Sequence, residues 1–181
     1  MNFQKTNIDG LTLITPKVFK DPRGFFVESY SDRTFRNAGI TTVFVQDNHS
    51  RSEPSGVLRG LHFQKPPFAQ SKLIRVIKGA IYDVAVDLRK SSPTFGKWQA
   101  FELTSDNFNI LLVPQGFAHG FCTIVPGTEV QYKVDNFYSP ECDAGIRWND
   151  PDLNIPWPTK DPVLSAKDAV LPYFKDIETP F

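Results

Sequence analysis

Cysteine is scarce in this 181-residue chain: Cys122 and Cys142 are the whole complement, and they form no C-x-x-C pair. That leaves no material for a disulfide framework or a thiolate metal cluster, and both residues are expected as reduced thiols. Histidine is nearly as rare, with only His49, His62 and His119. A three-histidine metal site would need all of them, so no metal ligand is assigned. An excess of charge of either sign is also missing. Twenty basic residues balance twenty acidic ones, so no global field draws the chain to nucleic acid or anionic lipid, although a local basic site stays open. No apolar run approaches the roughly 18 residues of a membrane-spanning helix. The start, Met1-Asn2-Phe3-Gln4-Lys5, lacks the apolar run of a secretory signal, and a cytoplasmic location is expected. Without repeats or a flexible linker, residues 1–181 read as one domain, long enough to bury about two thirds of its unfolded surface.

Phenylalanine and proline are plentiful, 16 and 15 residues, which favours short strands between stiff turns. Apolar or alternating runs recur at 11–14, 25–30, 42–46, 73–77, 81–88, 98–103, 110–113 and 130–134. This rhythm predicts an all-β sandwich, jelly roll or small barrel. One short helix is expected over Ser31–Asn37, with Ser31 as its cap and Gly39 near its end, and another turn near Ser165–Ala169. In the run from Ile81 to Leu88, Asp83 and Asp87 share a face with Ile81 and Ala85, and a solvated outer face is the expectation for both acids. Tyr132 alternates with Val130 and Val134, so its phenol points indoors and needs a partner or a ligand.

Chemistry concentrates in Leu58-Arg59-Gly60-Leu61-His62-Phe63-Gln64 and the nearby Lys72. Arg59 offers a rigid fork suited to phosphate, His62 can exchange protons near neutral pH, and Lys72 can stabilise a developing oxyanion. Singly, His62 reads equally well as a structural histidine and Lys72 as a solvated amine; their co-occurrence favours chemistry. A second segment, Val113-Pro114-Gln115-Gly116-Phe117-Ala118-His119-Gly120-Phe121, resembles the second half-motif of the cupin barrels. Metal-binding cupins also carry a His-x-His pair, and here Gln64 stands where its second histidine would be.

The ordered blocks Phe19–Glu28, Gln46–Ser50, Leu58–Gln64, Asp83–Arg89, Pro114–Phe121 and Leu164–Asp168 resemble the dTDP-4-dehydrorhamnose 3,5-epimerase family, from about residue 3 to 170. The resemblance implies an all-β, cupin-type jelly-roll barrel with a few short helices. It also implies a cofactor-independent epimerase acting on a dTDP-linked 4-keto-6-deoxy sugar, in the pathway to dTDP-L-rhamnose. By this resemblance His62 is the base, Asp168 its carboxylate partner, Lys72 the balance for enolate charge, and Tyr132 the acid on the opposite face. Arg23 and Arg59 would hold the diphosphate, with Phe26 or Tyr138 stacked on the base, although Phe26 by itself suits a core position better. Glu28, Gln46, Asp47 and Asn48 match positions that contact nucleotide or sugar, His119 falls in the sugar pocket, and Asp143 and Lys167 near its rim. The family implies a homodimer that exchanges N-terminal strands, with Arg23, Phe26 and Glu28 serving the partner's pocket. Two alternatives stand beside this reading: an epimerase restricted to C3 or C5, and a catalytically silent cupin that binds a nucleotide sugar.

Overall fold

The computed structural model describes residues 1–181. Two antiparallel sheets pack face to face into a jelly-roll barrel, the all-β architecture expected from the strand rhythm. The six-stranded sheet runs β1 (Asn2–Lys5), β2 (Thr12–Thr15), β10 (Ile110–Val113), β7 (Lys72–Lys78), β12 (Thr128–Val134) and β5 (Gln46–Ser52). The five-stranded sheet runs β13 (Asp143–Gly145), β6 (Leu58–Gln64), β11 (Phe117–Thr123), β8 (Ala80–Asp87) and β9 (Trp98–Thr104). A separate hairpin joins β3 (Val18–Asp21) to β4 (Gly24–Val27). No helix is long and apolar enough to cross a membrane.

The core between the sheets includes Leu11, Ile74, Val76, Ile81, Ala85, Leu103, Leu111, Phe117, Phe121 and Val130. A second cluster covers the outer face of the five-stranded sheet, where Leu61, Val84, Val86, Leu88, Trp98 and Ile146 meet Trp157, Phe174 and Phe181 from later in the chain. Both faces of β8 are therefore covered, which overturns the outer-face expectation for its acids: Asp83 and Asp87 point into the barrel and are fully buried. Each is partnered. Asp87 accepts hydrogen bonds from Arg89, Ser92 and Thr94. Burial alone would raise its carboxyl, but these donors win and hold it at about 2.

The expected helix forms as α1 (Asp32–Asn37), where the Ser31 hydroxyl accepts from the Thr34 N–H and Gly39 follows the end at φ 84°. Its one buried side chain, Phe35, packs with Ile14, Leu73, Ile110 and Leu112 on the outer face of the six-stranded sheet. The strand expected at 42–46 begins only at its last residue: Val43 and Val45 are exposed, and the ladder covers Gln46–Ser52 instead. That strand carries polar residues on both faces, Gln46, Asn48 and Ser50 on the less exposed one, so hydrophobic alternation could not reveal it. Phe26 is no core residue either. It lies on the β3–β4 hairpin and is 68% exposed, with Phe19 and Phe25 also exposed.

Candidate active site

Two side chains three residues apart on a regular strand point to opposite faces, yet Arg59 and His62 line the same cavity. The cause is a bulge. Opposite His119 lies His62 and opposite Phe121 lies Arg59, so two steps on β11 span three on β6. Gly60 takes up the extra residue at φ 133°, and a side-chain carbon there would lie 2.5 Å from the Gly120 Cα. Only two glycines can cross this closely.

The cavity measures about 280 Å³ and is lined by Ser50, Arg59, His62, Lys72, Ile74, His119, Phe121, Tyr132, Ser165, Lys167 and Asp168. It opens between the sheets beside the apolar core, with which it shares Ile74 and Phe121. His62 Nε2 lies 2.5 Å from Asp168 Oδ1. Asp168 arrives on a single 3-10 turn, Asp168–Val170, that places its N–H on the Ser165 hydroxyl. Burial would raise this carboxyl, but hydrogen bonds from His62 and Ser165 and the charges of His62 and Lys167 hold it below the ordinary range. It therefore stays ionised and can fix the imidazole's orientation.

Lys72 enters from β7 with no acid in contact. Desolvation pushes its amine down to about 8, against the pull of Asp83 and Asp143. Tyr132 enters from β12, where it pairs with Ile74 and Asn48. Desolvation raises its phenol despite the nearby Arg59, so it is a protonated donor at neutral pH. His119 is held by a residue that sequence reasoning assigned to solvent: its Nε2 lies 2.9 and 3.0 Å from the two oxygens of Asp83. The only sequence signal for that role was the shared spacing of Asp83 with Ile81 and Ala85.

The structure thus gathers His62, Asp168, Lys72, Tyr132, Arg59, His119 and Lys167 around one cavity, adding Ser50 and Ser165. Lys167 is ion-paired with Asp143, which also accepts from the Tyr138 hydroxyl at 3.0 Å, so these three form a rim. Other expected contacts do not line the cavity. Arg23 pairs with Asp21 at the exposed hairpin tip, beside Phe26. Glu28 accepts from Thr34 at 3.5 Å. Gln46 and Asn48 bond to each other on the less exposed side of β5, in line with Ser50, whereas Asp47 is turned to the other side and pairs with Lys133. Strand alternation separates Asp47 from Tyr132.

Residues 5–176 match a family model described as dTDP-4-dehydrorhamnose 3,5-epimerase. The enzyme of that name from Shigella flexneri is 52% identical over 169 residues, 93% of each chain. The crystal structure of the Bacillus anthracis enzyme with TDP and PPi bound superposes with a TM-score of 0.93 at 55% identity, covering 95% of this chain and 98% of that one. The Legionella pneumophila structure, in complex with dTDP-4-keto-L-rhamnose, gives a TM-score of 0.93 at 44% identity, covering 98% and 94%. Sequence and cupin-type architecture agree over almost the whole length, and the chain belongs to the dTDP-4-dehydrorhamnose 3,5-epimerase family.

Proposed function

We propose that the chain inverts C3 and C5 of dTDP-4-dehydro-6-deoxy-D-glucose to give dTDP-4-dehydro-L-rhamnose. The observation that carries this reading is the placement of His62 and Tyr132 on opposite sheets with the cavity between them. Inversion needs a base on one face of the sugar ring and an acid on the other. His62, its Nε2 engaged by Asp168, takes the C–H proton on its second ring nitrogen. The C–H electron pair moves onto the C4 oxygen as an enolate, whose charge Lys72 balances. Tyr132 then gives its proton to the opposite face of the same carbon and the ketone re-forms. Solvent reprotonates the phenolate and takes the proton from His62, and the cycle repeats at the second carbon.

Arg59 and Lys167 supply positive charge for the diphosphate, and Tyr138 offers its exposed ring to the base. Arg23, Phe26 and Glu28 would reach a cavity only in a partner subunit, through the β3–β4 hairpin. The seven-residue edge strand β5 pairs on one side alone, and three exposed phenylalanines sit on the hairpin. Both features support a homodimer that exchanges N-terminal strands. Light scattering should give the mass of a dimer; full activity in a dilute monomer would end that part of the reading.

The test of function is proton NMR with the 4-keto sugar nucleotide in deuterium oxide. Deuterium should enter at both C3 and C5, while entry at one alone would assign a restricted epimerase and entry at neither a binding protein. Followed against pH, kcat/KM should fall as pH rises through about 8, because the uncharged Lys72 amine no longer balances the enolate. A flat alkaline limb would remove Lys72 from that role.

A further inference from the structure

Gln64 occupies the position where a metal-binding cupin would carry a ligand, and the structure gives its amide a different task. The residue is buried near the end of β6. Its Nε2 donates to the Phe68 carbonyl at 2.6 Å and the Phe137 carbonyl at 3.0 Å, and its Oε1 accepts from the Ser139 N–H at 2.7 Å. Both N–H bonds are used, leaving no group directed at a ligand. Two of these partners flank Tyr138. The strand ladder adds a second link, since Gln64 pairs with Asp143, which accepts from the Tyr138 hydroxyl and from Lys167.

Packing cannot hold this loop in place, because Phe137 and Tyr138 are each 60% exposed. Hydrogen bonds from other segments tie down its ends: Gln70 Nε2 donates to the Asn136 carbonyl, and the Lys65 N–H to the Cys142 carbonyl. Between those ends, Gln64 is the buried anchor. We propose that Gln64 is a positioning residue that fixes the Phe137-Tyr138-Ser139 segment at the cavity rim and so sets affinity for the nucleotide end of the substrate, a role that rests on the epimerase reading above. It acts through Tyr138 and touches none of the reacting atoms. Removing its side chain leaves three loop or backbone groups to find water, and the rim loses its fixed position.

Two variants and a cycle test this. In Gln64→Ala, and in Gln64→Glu, whose carboxylate can donate to neither carbonyl, KM and the Kd for dTDP should rise about 10-fold with kcat within about twofold. In a Tyr138→Ala background the same changes should add less than about twofold, because the loop then has no ring to place. A purely structural role would lower the active fraction, and with it kcat, leaving KM and the Kd of the folded protein unchanged. That result, or effects that multiply fully with Tyr138→Ala, overturns the proposal. Calorimetry of the unaltered chain separates the two readings: no binding of dTDP overturns both, whereas binding that is indifferent to Gln64 overturns this one alone.

Discussion

His62→Ala should lower kcat by about 10²–10⁴-fold, the contribution of a well-placed proton-transfer group, while dTDP still binds within about threefold of normal affinity. The two effects separate because His62 faces the sugar end of the cavity in the proposed complex, whereas Arg59, Lys167 and Tyr138 hold the nucleotide. The loss corresponds to about 3–5 kcal/mol of transition-state stabilisation. Removing the imidazole also strips the buried Asp168 of its partner at 2.5 Å, so some stability should go with the activity. His62→Asn controls for that, since its amide can still donate to Asp168 but cannot act as a base near neutral pH. Both variants should be equally inactive in single-turnover exchange of the C3 and C5 protons. Substantial exchange by either would remove His62 as the base and leave the chemistry to another group in the cavity.

Gly60→Ala should damage fold and site together. A methyl group at residue 60 would lie 2.5 Å from the Gly120 Cα and 3.0 Å from the His119 carbonyl, contacts that only a backbone shift can relieve. The φ of 133° adds a conformational cost that glycine alone avoids. Strain and overpacking of about 1–3 kcal/mol each sum to roughly 2–6 kcal/mol. In a domain of this size that lowers Tm by about 10 °C. Relief of the clash would push β6 away from β11, displacing Arg59 and His62, so kcat/KM should fall by more than 10-fold even in the protein that remains folded. Thermal melts beside steady-state kinetics check this, and unchanged values of both would show that the bulge is not what brings the two side chains together.

The structure is least predictable from sequence where its interior is polar. Strands facing the apolar core, such as β7, β8, β10 and β12, announce themselves by alternating or continuous apolar runs. Strand β5 does not, because its less exposed side presents Gln46, Asn48 and Ser50 toward polar surroundings. The same confusion hid Asp83: a carboxylate between Ile81 and Ala85 looks like a residue turned to water until His119 is found beside it. Phe26 misled in the opposite sense, an aromatic side chain that suggested a core and stands on a solvent-facing hairpin.

By itself the amino-acid sequence determined the β-rich class, the helix capped by Ser31, the inward phenol of Tyr132 and the residue types that acid–base chemistry on a nucleotide sugar requires. These are local properties, set by periodicity, capping and side-chain chemistry within a few residues. The tertiary structure alone decided that His62 meets Asp168 across 106 positions of chain, that a bulge at Gly60 turns Arg59 toward the same cavity, and that two fully covered faces make Asp83 an internal partner. Each depends on which strands become neighbours and in what register. Register is fixed only when the whole barrel closes over a shared core, so no short stretch of sequence contains it.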